Sequence, residues 1–128
     1  MTPDQPDRQK VAEATAATAN TMAPQWFPVN AYEASEALVV VAPLAAVSPG
    51  DVTITVQPKA LHISARLRSA GPRDYLVHEW EYGGYERTID LPEGFGGGLE
   101  ATLTNGQLVV RLLRGPFVEQ RSVQPHSL

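Results

Sequence analysis

Leu99-Glu-Ala-Thr-Leu-Thr-Asn105-Gly106-Gln-Leu-Val-Val-Arg-Leu-Leu113 is the stretch that decides the fold class. Apolar residues stand at every second position on both sides of its centre: Leu99, Ala101 and Leu103, then Leu108, Val110 and Leu112. That is the period of a strand with one buried face. Asn-Gly joins the two runs into a hairpin, because a type I′ turn needs positive φ at both central residues.

Working outward towards the N-terminus, the pattern stays β. Tyr85–Leu91 is a strand in which Tyr85, Arg87, Ile89 and Leu91 share one face. An arginine at that parity is too costly to bury unpaired, so Arg87 either snorkels to solvent or pairs with a carboxylate across a sheet or subunit boundary. Tyr75–Tyr82 precedes it as a further strand, after a Ser69–Asp74 loop. Leu61–Leu67 and Asp51–Gln57 alternate cleanly, and the second turns Val52, Ile54 and Val56 to one side. Ala37–Ala42 is a continuous apolar strand and Val29–Glu33 a short one, with Pro43 and Ser48-Pro49-Gly50-Asp51 breaking the chain between strands. Short strands at this spacing indicate an all-β sandwich or barrel.

The remaining segments frame this region. Met1–Pro24 is polar and rich in alanine and threonine; with no apolar stripe, it reads as a mobile arm rather than a stable helix. Trp26-Phe27 marks the start of order, as core packing or as an N-terminal aromatic docking contact. Gly94-Phe-Gly-Gly-Gly98 leads into a strand rather than a helix, which excludes a phosphate cradle and leaves a flexible linker. Gly115-Pro116 ends the sheet, and residues 115–128 form a flexible polar tail. The expected organisation is an arm over 1–24, a sandwich over 25–114 and the tail.

Composition narrows the function. A chain of 128 residues is expected to be one domain. The absence of cysteine excludes disulfides and thiolate metal sites and permits a reducing compartment. A net charge of −4 argues against nucleic acid and an anionic membrane as partners. With no apolar run of transmembrane length and no signal-peptide order at the start, a soluble cytoplasmic domain is expected. His62, His78 and His126 do not cluster at metal-ligand spacing, and His78 and Glu79, adjacent on a strand, point to opposite faces. No nucleophile elbow or His-Glu-x-x-His run is present. No catalytic, cofactor-binding or metal residues are assigned, and no enzyme activity is expected.

Five words in order carry a resemblance: Pro28-Val-Asn-Ala-Tyr-Glu33; Ala37–Ala42 followed by Ser48-Pro-Gly-Asp-Val52; Leu61-His-Ile-Ser-Ala-Arg66; Tyr82-Gly-Gly-Tyr-Glu-Arg87 running on to Leu91-Pro92; and Ala101-x-x-x-Asn105-Gly106-x-Leu108. Over Pro28–Arg114 the chain resembles the α-crystallin domain of small heat-shock proteins. The resemblance implies an immunoglobulin-like β-sandwich of seven to eight strands. It also implies an ATP-independent holdase chaperone that takes partly unfolded proteins and self-associates. A p23-like adaptor that binds one folded partner is the alternative.

By the same resemblance Arg87 supports dimer-interface ion pairs, with Tyr75, Leu76, Val77 and His78 as a segment lent to the partner. Val52, Ile54 and Val56, with Leu99, Ala101 and Leu103, match the positions lining an edge groove for a tail or client segment. The tail lacks the family's Ile-x-Ile or Val-x-Ile pair, the Ser69–Asp74 loop is short, and the arm is poor in large apolar residues. These departures point to a homodimer or small oligomer, with a groove that has no plug of its own.

Overall fold

The computed structural model describes residues 24–68, 74–80 and 83–127. The expected arm up to Ala23 lies outside the described residues, as do Ser69–Arg73 of the loop and Glu81-Tyr82.

Among the described residues eight strands form: β1 (Asn30–Glu33), β2 (Ala37–Pro43), β3 (Val52–Gln57), β4 (Ala60–Ala65), β5 (Tyr85–Asp90), β6 (Gly98–Thr104), β7 (Gln107–Leu113) and β8 (Arg121–Val123). They make two four-stranded sheets, in the orders β1-β2-β7-β6 and β5-β4-β3-β8. Each pairing between these strands is antiparallel. A 3-10 turn at Pro49–Asp51 leads into β3.

The alternating runs build the core. Val52, Ile54 and Val56 of β3 and Leu61, Ile63 and Ala65 of β4 come from one sheet. They meet Leu38, Val40 and Ala42 of β2, Ala101 and Leu103 of β6, and Leu108, Val110 and Leu112 of β7 from the other. Strand β2 reads as continuously apolar because it lies between β1 and β7. On the face away from the core, Val39 stands in register between Tyr32 and Arg111 and is itself buried.

The hairpin closes as its sequence dictates. Asn105 has φ of 54° and Gly106 of 76°, the paired positive values of a type I′ turn, and Thr104 faces Gln107 across it.

Two expected loops are part of the packed structure. The Gly94–Gly98 segment is not a flexible linker. Phe95 is buried, the Gly96 amide donates to the Gly115 carbonyl at 2.8 Å, and that of Gly97 donates to the Leu113 carbonyl at 3.0 Å. A Cβ on Gly97 would stand 2.2 Å from the Arg114 carbonyl oxygen, so glycine is there because two backbones touch. Nor does the sheet end at Gly115-Pro116, since the expected tail supplies β8.

Candidate functional site

Strands β3 and β6 are where the two sheets approach an open side of the sandwich, and residues 121–126 run along that side. Strand β8 pairs with β3, setting Val123 opposite Ile54, Ser122 opposite Thr55 and Arg121 opposite Val56. Cross-strand partners share a face, so Val123 lies on the inner side with Ile54, half-buried and packed against the core. Ser122 and Thr55 lie outside and join their hydroxyls at 2.8 Å.

The chain then crosses from one sheet to the other. Pro125 is buried at the crossing, where its missing N–H leaves no donor unpaired. On the far side the His126 amide donates to the Ala101 carbonyl at 2.9 Å, and the Leu103 amide donates to the His126 carbonyl at 2.8 Å. Gln124 Nε2 donates to the Gly50 carbonyl at 3.1 Å, between the two attachments.

The expected groove residues gather here. Val52, Ile54, Val56, Ala101 and Leu103 are buried, and Leu99 is half-buried. The expectation that the chain lacks a plug is overturned: Val123 and Pro125 fill the slot at the i, i+2 spacing that suits a strand-like ligand. In place of two branched side chains, the signal in the sequence is a branched residue with proline two positions on, Val123-Gln124-Pro125.

Arg87 is half-buried and forms no ion pair with a carboxylate among the described residues. Its Nη1 donates to the Phe27 carbonyl at 2.8 Å, and its guanidinium stands 4.8 Å from the Trp26 ring centre. Phe27 is core, edge-on to Tyr85, whereas Trp26 is 69% exposed. The same segment docks on β5 through its backbone. The Gln25 amide donates to the Gly84 carbonyl at 2.7 Å and the Glu86 amide donates to the Gln25 carbonyl at 3.1 Å.

Residues 74–80 form no strand, and they display four exposed large apolar side chains. Leu76 is fully exposed, Val77 largely so, and Tyr75 and Trp80 about half. Tyr75 and His78 stack with ring centres 4.2 Å apart. Trp80 Nε1 donates to the Tyr85 hydroxyl at 3.0 Å, anchoring the segment's end to β5. The open backbone edge nearest in kind is β1, whose four residues are all exposed.

Asp51, at the turn into β3, does more than break the chain. The Asp51 carboxylate is buried, with its side chain 1% exposed. It accepts from the Ser48 amide at 3.0 Å, from Arg66 Nη2 at 3.0 Å and from Arg68 Nε at 2.6 Å. The Ser48 amide, followed by the two guanidinium groups, holds its carboxyl below the ordinary aspartate range against the opposing effect of burial. The pattern Ser-x-x-Asp was the available signal, but nothing in the spacing named the arginines.

Among the described residues no three His, Cys, Asp or Glu side chains gather to hold a metal ion, and no helix is long and apolar enough to cross a membrane. What this geometry offers is a peptide-width slot with apolar pockets and backbone hydrogen bonds on both walls.

The model of the Hsp20/alpha crystallin family matches residues 30–125, from the first residue of β1 to the proline in the groove. The chain belongs to that family. Its fold is shared by solved family structures of low sequence identity. The hspA protein of Xanthomonas axonopodis aligns at a TM-score of 0.62 and 24% identity, covering 72% of this chain and 96% of that one. A small heat-shock protein from Xylella fastidiosa aligns at 0.60 and 20%, covering 77% and 94%. Heat shock protein 16.0 of Schizosaccharomyces pombe aligns at 0.56 and 20%, covering 74% and 92%. No curated protein matches the chain. As a member of the small heat-shock proteins, the chain is placed among chaperones.

Proposed function

We propose that this small heat-shock protein is an ATP-independent holdase that binds extended apolar segments of partly unfolded proteins and keeps them from aggregating. The observation that carries the reading is the groove between β3 and β6, which already holds an extended segment through one branched side chain, one proline and backbone hydrogen bonds to both sheets. Strand addition of this kind takes its affinity from the main chain and its selectivity from alternate side-chain pockets, so it tolerates many sequences. Unfolded proteins present such segments before they aggregate.

Self-association is part of the proposal. Tyr75, Leu76 and Val77 form an exposed apolar segment, and β1 leaves an exposed strand edge, so a second copy of the chain satisfies both at once. Arg87, fixed on Phe27 beside Trp26, is then the cation available to a carboxylate of the second copy. The expected product is a homodimer or small oligomer. A cysteine-free chain of net negative charge fits work in the cytoplasm with protein partners rather than nucleic acid or membrane.

The test is heat aggregation of a model enzyme, followed by light scattering, with the chain in stoichiometric excess and no ATP. Suppressed scattering is the expected result; unchanged scattering would overturn the reading.

A further inference from the structure

We infer that Asn105 is a site of spontaneous deamidation gated by the β6–β7 turn: the closed turn holds the reaction back, and opening of the hairpin releases it. The inference goes beyond the proposed function, because it concerns a covalent change in the chain itself.

The reactants are neighbours. The Gly106 backbone nitrogen attacks the side-chain carbon Cγ of Asn105. A new C–N bond forms, the attacking nitrogen gives its proton to water, and the bond from Cγ to the side-chain nitrogen breaks, releasing ammonia. The product is a five-membered succinimide. Water then opens this ring at either carbonyl. Addition at Cγ leaves aspartate; addition at the backbone carbonyl leaves isoaspartate, in which the main chain runs on through the former side chain.

Three observations place the reaction here. First, the nucleophile is unshielded. Glycine has no Cβ beside its nitrogen, and even a Cβ built on Gly106 would meet nothing closer than the Leu44 carbonyl oxygen at 3.8 Å. Of the chain's three asparagines, Asn20 and Asn30 precede threonine and alanine, so Asn105 alone has a glycine behind it. Second, Asn105 is exposed, and among the described residues neither its side chain nor the Gly106 amide makes a hydrogen bond. Both reactants are therefore uncommitted, and water reaches them. Third, the closed turn has the wrong backbone for ring closure. Values of φ of 54° at Asn105 and 76° at Gly106 define type I′, the mirror of type I, and its ψ at Asn105 turns the Gly106 nitrogen away from Cγ. The peptide between them has to swing round before the ring can form. The Leu44 amide, donating to the Gly106 carbonyl at 2.8 Å, resists that swing, and Leu44 is itself fully buried. The gate is thus anchored in the core, and heat that loosens the hairpin starts the chemistry.

The two products differ in what they do to the fold. Asp-Gly suits a type I′ turn as Asn-Gly does, so the aspartate chain recloses with one more negative charge. Isoaspartate puts an extra main-chain carbon into a two-residue loop that sets Thr104 opposite Gln107, and breaks that register. The fault lies two residues from Leu103, whose amide donates to the His126 carbonyl at the groove wall. A chain once opened by heat therefore carries a permanent mark beside the groove.

The test follows each asparagine of the full-length protein by peptide mass spectrometry, in neutral buffer at one temperature, with and without denaturing guanidinium chloride. In denaturant Asn105 is expected to convert at least tenfold faster than Asn20 and Asn30; equal rates at the three positions would overturn the site. Asn105 is expected to convert at least tenfold faster in denaturant than in the folded protein, and equal rates there would overturn the gate. The isoaspartate chain, refolded and separated chromatographically, is compared with Asn105→Asp by amide hydrogen exchange. Asn105→Asp is expected to protect the β6 and β7 amides beside the turn as the unmodified chain does, and the isoaspartate chain to lose that protection at least tenfold. Equal protection in the two would overturn the distinction between the products. None of these readouts uses an aggregating protein, so a failed aggregation assay removes the proposed function and leaves the modification site standing.

Discussion

At Asp51 a single carboxylate ties together segments that are distant in sequence. It caps the Ser48 turn and takes Arg66 and Arg68 from beyond β4, and the neighbouring Gly50 carbonyl receives Gln124. Asp51→Asn keeps the shape but removes charge-assisted hydrogen bonds, and is expected to cost about 1–3 kcal/mol at neutral pH by urea denaturation. The pH dependence has a definite sign. Because the folded carboxyl titrates below its unfolded value, its contribution is complete above the unfolded pKa and fades as pH falls through the folded one. The stability gap between wild type and Asp51→Asn is therefore expected to be constant down to mildly acid pH and to shrink only in strong acid. A gap that grows on acidification contradicts this assignment. Gly97 makes a second prediction at this scale. Gly97→Ala sets a methyl 2.2 Å from the Arg114 carbonyl oxygen, where backbone has to move. A loss of about 1–3 kcal/mol is expected by the same measurement, the range for overpacking a tight site.

Among the elements, those with strict alternation were legible in the sequence and those set by close approach were not. The β6–β7 hairpin, β3 and β4 could be read because a period of two leaves one register that buries Leu108, Val110 and Leu112 together with Ile54 and Ile63. The Gly94–Gly98 segment was misread because a glycine run is equally the mark of a free linker and of two backbones in contact, and Gly115 on the other side is far off in sequence. Strand β8 was missed because Pro125 reads locally as a strand-breaker; its burial depends on a gap between two sheets that no local pattern reports. The position of Arg87 on the inner face was legible from parity, but its partners were not, since a main-chain carbonyl at Phe27 carries no side-chain signal. The elements also differ in expected lifetime. Amide hydrogen exchange should be fast at the β3-facing amides of β8 and at His126, and slow at Val110 in β7, which has a neighbouring strand on each side. Equal protection at the two places would place β8 in the same cooperative unit as the core.

For the whole molecule, the sheet edges decide how copies meet. Edge β6 is covered at Thr102 by His126, β5 is covered at Tyr85 by Gln25, and β1 is exposed along its length. With the groove taken from within the chain, the expected assembly is a dimer or small oligomer rather than a large shell. Native mass spectrometry at micromolar concentration checks this, and a distribution dominated by shells of many subunits refutes it. Leu76→Asp with Val77→Asp is expected to shift that distribution to monomer with little change in stability, because both side chains are exposed in the single chain.

The pairing of β2 with β7 also bears on the birth of the molecule. Ala37 meets Leu113 and Pro43 meets Gln107, so the middle of one sheet joins distant parts of the chain. On a ribosome adding roughly 5–20 residues per second, β2 precedes its partner by roughly 65 residues, or about 3–13 s. Throughout that interval Ala-Leu-Val-Val-Val-Ala has only the short β1 beside it. A chain of a chaperone family thus passes through its own synthesis with a sticky strand of its own uncovered until β7 arrives.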